Sequence, residues 1–394
     1  MNDRLLPSKL HVPGNRPGTL SRGRLFAPLN DALHDQHRLI LISAPAGSGK
    51  TTLVSQWITQ NDLSCAWVAL DDDDNDLARF THYLIAATAK ALAASDDAIF
   101  PDDLVPESET IWHDFVNALL AFDIPMVIVL DDYHLIKTEI IHDGITFLME
   151  HLPPHVRLVL VTRSDPPLPI ARLRVCQQIT ELREYDIRFT PPEAHDFLNV
   201  TSGLHIDDDG VEALHERTEG WIAGLQLAAL SLRRYADPTE FISQFTGSHR
   251  FVLDYLTEEV LNHQNTETQA FLLKTSILDR LAPDLCQAVS GNADSHEMLD
   301  TLCRNNLFWV PLDTIGLTYR YHHLLSDLLR VRLQQKYADD LPDLHQRAAA
   351  WYVKHDDVLS RFGTIWQANT TSKPPIWSSA RRSRSTIKVI SLAS

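Results

Sequence analysis

The stretch LILISAPAGSGKTTLVSQW, from Leu39 to Trp57, constrains the fold of this chain more than any other feature. A short apolar run leads into a glycine-containing loop, and a helical pattern follows. Residues 44–51 match the pattern G-x-x-x-x-G-K-[ST] except that Ala44 stands at the first glycine. Between a strand and a helix, this pattern predicts a phosphate-binding loop, or P-loop. A glycine-rich turn without a ligand is the alternative interpretation.

The residue types of the loop suit a phosphate site. Glycines let backbone N–H groups turn inward toward a phosphate at the positive end of the following helix. A lysine neutralises phosphate charge there, and a threonine hydroxyl ligates Mg²⁺. The departure at Ala44 costs little if its φ is negative. We therefore predict nucleotide contacts from Ala46, Gly47, Ser48, Gly49, Lys50, Thr51 and Thr52, with Thr51 as a magnesium ligand.

Charged residues follow two apolar runs that read as buried strands. Asp131 and Asp132 come after MVIVL, where a second metal-directed carboxylate belongs. Asp131 is predicted to hold Mg²⁺ through water, and Asp132 to orient or deprotonate an attacking water. Arg163 follows RLVLVT and is placed to reach a γ-phosphate; an exposed arginine in a surface ion pair is the alternative. Together these features predict a P-loop NTPase with Asp132 and Arg163 as its catalytic residues.

The first half of the chain alternates apolar runs with helical patterns. We predict strands at 38–43, 65–70, 125–130 and 157–162, with helices between them such as 78–94. Each strand candidate is nearly all apolar, which is typical of a parallel sheet covered on both faces. The sequence therefore predicts an α/β P-loop NTPase domain over 37–188, preceded by an extended leader (residues 1–36) that packs on the nucleotide site.

The second half is predicted to be mainly helical. A capping box at Thr190–Glu193 begins a helical domain over 189–265, with helical patterns at 220–235 and 250–263. Residues 307–324 read as two short strands and a turn leading into a helix, which predicts a winged-helix-like domain over 266–343. Residues 344–394 are predicted to begin a helical-repeat region with a helix at 344–355 and then to become a poorly ordered tail.

Bulk composition narrows the class of protein. A chain of 394 residues with 44% hydrophobic and 22% charged residues is typical of a globular protein with two or three domains. A formal net charge of −17 argues against a main task of coating nucleic acid, which needs a basic face. The four cysteines lack CxxC spacing, so they favour neither a zinc site nor a disulfide framework. With no apolar signal segment and no membrane-length apolar run, we expect a cytoplasmic protein without a membrane partner.

Two polar clusters carry weaker signals. The acidic run DDDDND at 71–76 lacks the glycine and the distal glutamate of a calcium loop, so we expect a solvated strand-to-helix turn. The pair His322 and His323 lies in YRYHH, without a zinc spacing such as HExxH. No G-x-S-x-G segment supports nucleophilic hydrolase chemistry.

The wider pattern resembles the MalT-like subgroup of LuxR-type regulators, within the STAND class of signal-transduction ATPases. The resemblance covers roughly residues 7–355. It rests on long stretches spread along the chain, among them SKLHVPGNRPGTLSRGRL, SAPAGSGKTTLVSQW, VLDDYHLI, LVTRSDPPLPIARLR, RTEGWIAGLQLAALSL, DYLTEEVL and YRYHHLLSDLLR.

This resemblance implies an ATP-binding domain, a helical domain and a winged-helix domain that closes over the nucleotide. In the family, ADP holds a closed, inactive monomer, whereas ATP with an inducer favours an open form that self-associates. The leader around Ser21 and Arg22 is implied to lie against the adenine and ribose, and Arg163 to correspond to the γ-phosphate sensor. His322 is the implied contact to the β-phosphate of ADP; a buried histidine packed under the wing is the alternative.

The C-terminal end departs from the family pattern. Full-length relatives continue into helical repeats that sense inducer and a helix-turn-helix that binds promoter DNA. The stretch after about Asp357 has no amphipathic helix pair, so our hypothesis is a frameshift or premature stop that removed both regions. We accordingly expect this chain to bind ATP or ADP with Mg²⁺, but not DNA.

Three functions follow from these observations. The first is the nucleotide switch of a transcriptional regulator, reset by slow ATP hydrolysis. The second is a stand-alone ATP-binding scaffold or inhibitory fragment that acts by protein–protein association without DNA. The third is a metabolic or mechanical P-loop enzyme. Two features argue against it: the helical and winged-helix content, and the lack of an acceptor-substrate motif.

Overall fold

A computed structural model describes residues 5–14, 18–35, 37–93, 104–106, 110–233, 238–313 and 318–355. The predicted tail after about Asp357 lies outside these residues. Within the described part, no helix combines the length and apolarity needed to cross a bilayer.

A five-stranded parallel sheet forms the centre of the first half of the chain. The strand order is β2-β3-β4-β1-β5, with β1 Leu39–Ser43, β2 Ser64–Ala69, β3 Met126–Asp131, β4 Val156–Thr162 and β5 Ile179–Arg183. The predicted parallel sheet and its four predicted strands are confirmed. Strand β5 was not predicted, because ITELR has only two apolar residues among five and forms the edge of the sheet, where only Leu182 is buried.

Helices cover both faces of the sheet, which is why its central strands are apolar throughout. Alternate residues of β1 enter different cores: Leu39 and Leu41 pack on one face, Ile40 and Ile42 on the other. The helices of this half are α1 Gly23–His34, α2 Lys50–Gln60, α3 Leu77–Leu92, α4 Ile111–Leu120, α5 Glu139–His151, α6 Ile170–Val175 and α7 Glu184–Ile187.

The leader is more helical than predicted. Residues Pro7–Leu10 form a 3-10 helix, and α1 continues through Pro28. The expectation of an extended leader was wrong because its glycine and proline content obscured a helical spacing of apolar residues. The buried residues of α1 are Leu25, Phe26, Leu29 and Ala32, which pack in the core that contains Ile40.

The acidic run at 71–76 is only partly solvated, which corrects the prediction of a solvated turn. Asp74 is fully buried within a 3-10 helix, Asp72–Asn75. The Lys9 ammonium donates to Asp74 and lies 2.7 Å from Asp71, while Arg79 Nε donates to Asp74 over 3.0 Å. A buried carboxylate needs such partners because its desolvation is costly. The run therefore anchors the leader, through a lysine too distant in sequence for local pattern to reveal.

The second half of the chain is helical around one continuous hydrophobic core, which extends from Phe189 to Tyr352. The predicted capping box is confirmed: Thr190 Oγ1 accepts from the Glu193 N–H, and the Glu193 carboxylate accepts from the Thr190 N–H. The first elements are α8 Pro191–His195, α9 Asp208–Thr218, α10 Ile222–Leu232, α11 Pro238–Gln244 and α12 Arg250–Leu256, with π-helical turns at Asp196–Thr201 and Thr257–Leu261.

The last elements form the predicted winged-helix arrangement. Two short antiparallel strands lead into a helix, and the helix predicted at 344–355 is confirmed. The domain boundaries at 265/266 and 343/344 stay predictions. The elements are α13 Thr266–Thr275, α14 Pro283–Ser290, α15 Ser295–Arg304, β6 Trp309–Pro311, β7 Tyr319–Tyr321, α16 His323–Lys336, a 3-10 turn Ala338–Asp340 and α17 Leu341–Lys354.

Candidate nucleotide-binding site

The P-loop joins the carboxyl end of β1 to the first turn of α2. Gly47 and Gly49 have φ values of 71° and 75°, in the left-handed region that favours glycine. Ala44 does not have a positive φ, so its side chain causes no backbone strain, as expected. Ser48 Oγ donates to the Pro45 carbonyl over 2.9 Å and braces the turn. The loop therefore has the backbone form that its sequence predicts.

Lys50 is the cation at the centre of the loop. Its side chain is almost fully buried, and its ammonium donates to the carbonyl oxygens of Ala44 (2.8 Å) and Pro45 (2.9 Å). Burial, with Arg163 nearby, lowers the pKa of Lys50 to about 8, although Asp132 and Asp131 oppose this shift. An anionic ligand would stabilise the charged ammonium, since an opposite charge at short range favours ionisation.

Thr51 and Asp131 come together from α2 and β3. The Thr51 hydroxyl donates to Asp131 Oδ1 over 3.1 Å. Burial, and then the neighbouring Asp132, raise the pKa of Asp131 to about 7. In the described part of the chain, no group of three or more His, Cys, Asp or Glu side chains could hold a metal ion. This pair nevertheless fits Mg²⁺, which takes few protein oxygens and completes its shell with water and phosphate.

Asp132 occupies a left-handed conformation, with φ of 57°, directly after β3. Its N–H donates to Asp131 Oδ1 over 3.1 Å, so the backbone helps to orient the buried carboxylate. The Asp132 carboxylate is partly exposed and lies 3.9 Å from His134 Nδ1. Burial, with Arg163 and Lys50 nearby, lowers the pKa of His134 to about 3, so this ring is neutral. The catalytic role predicted for Asp132 stays a prediction.

Arg163 follows β4 at the same edge of the sheet. Its Nη1 lies 3.1 Å from Glu259 Oε2, in the π-helical turn after α12, and both side chains are about one-third exposed. Asn306 fixes the Arg163 backbone by donating to its carbonyl oxygen over 3.1 Å. Sequence reasoning placed Arg163 at this edge but gave no signal for its carboxylate partner. Its role as a γ-phosphate sensor stays a prediction.

A cavity of about 410 Å³ lies beside the P-loop. Arg22 of the leader is buried in its wall, where Nη1 donates to the Ile187 carbonyl over 2.7 Å, and burial lowers the pKa of Arg22 to about 10. Ser21 is exposed instead, and its hydroxyl accepts from Gln60 Nε2 over 3.1 Å. The other walls include Leu20 from the leader, Thr51 and Thr52 from α2, and Phe189 and Ile222 from the helical region.

The hydrogen bonding of Gln56 in α2 indicates what kind of ligand suits this cavity. It lines the cavity, is only 4% exposed, and donates from Nε2 to the Leu20 carbonyl over 3.3 Å. Its Oε1 is buried and has no hydrogen-bond partner among the described residues. Such an acceptor costs about 1–3 kcal/mol unless a donor reaches it. A nucleoside base supplies amino donors, so a cavity with both polar and apolar walls and this acceptor, beside a phosphate loop, fits a nucleotide.

Residues of the helical region lie directly on the P-loop, which the sequence analysis did not foresee. The Trp221 indole N–H donates to the Ala46 carbonyl (3.0 Å), and the Ala223 N–H donates to the Gly47 carbonyl (3.0 Å). These bonds satisfy loop carbonyls and tie two parts of the chain together. The segment GWIAG, residues 220–224, falls within the helical pattern predicted at 220–235 and gives no separate signal for this contact.

His322 lies behind Trp221, at the start of α16. It is almost fully buried, with Nε2 2.8 Å from the Thr218 carbonyl and Nδ1 accepting from the Leu324 N–H over 3.2 Å. Burial lowers the pKa of His322 to about 4, so the ring is neutral. Backbone groups therefore engage both nitrogens in this conformation, as in a histidine packed under the wing. Its contact with ADP stays a prediction.

Glu219 connects three parts of the chain. It accepts from Arg320 Nη1 (2.7 Å) and Nη2 (3.0 Å), from Arg188 Nη1 (3.1 Å) and from the His323 N–H (3.1 Å). Arg320 lies on β7 of the winged-helix region, and Arg188 follows α7 and also pairs with Glu184 at 2.6 Å. No local pattern in the sequence indicates this network, because its members are up to 139 positions apart (323 minus 184).

Replacing Gly47 with alanine tests the contact between the P-loop and the helical region. A Cβ at Gly47 would lie 2.5 Å from Ala223 Cβ and 2.8 Å from Tyr255 Oη, so the GWIAG segment must move. We expect a loss of about 2–4 kcal/mol of unfolding free energy, from overpacking and left-handed strain together.

Gly203→Ala is the matched control in denaturant unfolding. Gly203 also has a left-handed φ of 66°, but nothing lies within 4 Å of its added Cβ. It therefore reports the strain alone, which is about 1–2 kcal/mol. Equal losses in the two variants would contradict the contact.

Comparison with known proteins shows which family this chain resembles. A MalT winged helix domain model matches residues 257–341. The HTH-type transcriptional regulator MalT of Klebsiella pneumoniae is 37% identical over 357 residues, covering 89% of this chain and 39% of that protein. The MalT regulator of Cronobacter sakazakii is 35% identical over 358 residues, with the same coverage. The chain thus spans about 39% of the length of these relatives.

Among solved structures, a Walker-type ATPase of Pyrococcus abyssi has the same fold. Its TM-score is 0.58 at 14% identity, and the match covers 80% of this chain and 97% of that one. Identity at this level is informative about fold alone. Sequence, domain match and fold agree, and the chain corresponds to the N-terminal region of MalT-like regulators, an ATPase-like α/β domain followed by a MalT winged helix domain.

Proposed function

We propose that this chain is an ATP- and ADP-binding switch module of a signal-responsive bacterial transcriptional regulator. The P-loop carries the proposal, since it presents a buried ammonium, two left-handed glycines and the Thr51–Asp131 pair beside a cavity that suits a nucleoside. The regulatory role is inferred from the relatives, which are HTH-type transcriptional regulators.

Each site residue has a role in this proposal. Lys50 neutralises phosphate charge, and backbone N–H groups of Ala46 to Thr52 surround the phosphates. Thr51 and Asp131 hold Mg²⁺, which would neutralise developing charge on the phosphates. Asp132 orients or deprotonates water, and Arg163 distinguishes triphosphate from diphosphate. Arg22, in the wall of the cavity, lies against the ribose and base, whereas a contact from Ser21 stays a prediction, because Ser21 is exposed and bonds Gln60.

In this proposal, the bound nucleotide shifts the balance between a closed and an open arrangement of the domains. The helical region donates two hydrogen bonds to the P-loop, and the winged-helix region reaches the same place through His322 and Trp221, whose ring centroids are 6.2 Å apart. A ligand that binds two arrangements unequally shifts the balance between them. ADP therefore holds the closed form, ATP favours an open, self-associating form, and slow hydrolysis by the chain resets the switch.

Nucleotide binding and turnover by the purified chain test this proposal. We expect tight, Mg²⁺-dependent binding of both ADP and ATP, and turnover well below the ordinary enzyme range of about 1–1,000 per second. Absence of binding to either nucleotide would refute the switch. Turnover within the ordinary range would instead favour a P-loop enzyme that acts on a separate substrate.

A further inference from the structure

Glu259 is a carboxylate from the helical region that lies against the proposed phosphate site. It belongs to the π-helical turn Thr257–Leu261, and its Oε2 is 3.1 Å from Arg163 Nη1. Arg163 follows β4 of the sheet, so the ion pair crosses between two parts of the chain. π-Helical turns within helices are uncommon and are frequent at functional sites.

Lys50 is a second cation near this ion pair, and the carboxylates of Asp131 and Asp132 are also close to Lys50. Arg163 and Lys50 lie close enough to each other for Arg163 to disfavour the charged form of Lys50, and both also act on His134. The Asn306 side chain holds the Arg163 carbonyl, so the guanidinium group could change its partner while the backbone stays in place. Glu259 thus places its negative charge on the same cation to which a terminal phosphate would bind.

We propose that Glu259 sets the preference of the site for nucleoside diphosphate over triphosphate by competing with the γ-phosphate for Arg163. This inference rests on the proposed function, because it needs a nucleotide in the P-loop. Arg163 pairs either with Glu259 or with the γ-phosphate, and a carboxylate left beside that phosphate repels it. ADP has no γ-phosphate and leaves the ion pair intact.

The competition also links the nucleotide to the arrangement of the chain. When Arg163 turns to a γ-phosphate, the ion pair between the sheet and the π-helical turn is lost. ATP and ADP then bind the two arrangements with different free energies, which is what a nucleotide switch requires. Glu259 is accordingly a positioning residue that acts through Arg163.

The test measures ADP and ATP affinities of the full chain for the parent and Glu259→Gln. The neutral isostere should raise the ATP affinity relative to ADP by roughly threefold to tenfold, as expected for a partly exposed ion pair plus relieved repulsion. ADP affinity should change less than about twofold. Glu259→Asp, which keeps the charge on a shorter side chain, should give a smaller change in the same direction.

The control is Glu258→Gln, which removes the same charge from an exposed neighbour and should leave the affinity ratio unchanged. In an Arg163→Ala background, Glu259→Gln should no longer change the ratio, because the shared partner is gone. The unfolding midpoint of the nucleotide-free variants should stay within about 3 °C of the parent.

The outcomes separate the two proposals. If the parent binds neither nucleotide, the proposed function fails and this inference fails with it. If the parent binds both, but the ratio is the same with glutamate and glutamine at 259, only the inference is overturned. A ratio that still responds to Glu259→Gln without Arg163 also overturns it.

Discussion

Lys50→Ala will reduce the affinity of the chain for ADP and ATP by about a hundredfold. The ammonium is buried at the centre of the P-loop, and charged hydrogen bonds to phosphate contribute about 1.5–3 kcal/mol each. Alanine leaves the backbone N–H groups in place, so residual weak binding is expected. Isothermal titration of the purified variant with each nucleotide measures the loss.

The variant should remain folded, which keeps the result interpretable. Burial lowers the pKa of Lys50 to about 8, so the parent carries a desolvation cost that alanine removes. This gain offsets the loss of the bonds to Ala44 and Pro45, and unfolding free energy should stay within about 1 kcal/mol. Lys137→Ala removes the same charge from a side chain that is 76% exposed, and its affinities should match the parent. Equal affinities for Lys50→Ala and the parent would contradict the phosphate role.

Glu219→Gln will weaken the docking of the winged-helix region by about 2–4 kcal/mol. The substitution leaves Arg320 without a carboxylate partner and leaves Arg188 with Glu184 alone, and breaking one partner of a largely shielded network is costly. Glu219 has a φ of 50°, and glutamine has the same backbone preferences, so backbone strain is unchanged. Hydrogen exchange should rise at Tyr319–His323, and denaturant unfolding should show the lost stability.

Glu216→Gln on α9 is the matched control, since it removes the same charge from an exposed side chain and should cost less than about 0.5 kcal/mol.

The pH dependence of stability tests the ionic origin of this effect. Burial raises the pKa of Glu219, but hydrogen bonding by Arg320 and neighbouring positive charge outweigh burial and lower this pKa from 4.5 to about 2. A lowered carboxylate pKa contributes stability above the unfolded pKa, and that contribution is lost as pH falls toward the folded value. The difference between parent and Glu219→Gln should therefore be largest above pH 5 and shrink between about pH 4.5 and 2. A difference independent of pH would contradict the ionic origin.

Sequence alone predicted the parts of the site that are local or governed by a fold rule. The P-loop lies within eight consecutive residues, and its backbone form follows from its glycines. Thr51 and Asp131 are 80 positions apart, yet their contact was predictable because both lie at the carboxyl edge of one parallel sheet. Four strands were predictable because central parallel strands are apolar on both faces.

Tertiary structure decided which side chains from other elements reach that edge. No local pattern indicated that Glu259 pairs with Arg163 or that Trp221 donates a hydrogen bond to the P-loop. Nor did it indicate that Lys9 pairs with the buried carboxylate of Asp74. Each pair joins polar groups from separate elements, and such groups meet only where packing of the apolar cores places them. The sequence by itself thus determined a phosphate loop on a parallel sheet and a helical second half. Packing determined the partners of its charges, because a buried or half-buried charge is stabilised by whichever opposite charge the fold brings within a few ångströms.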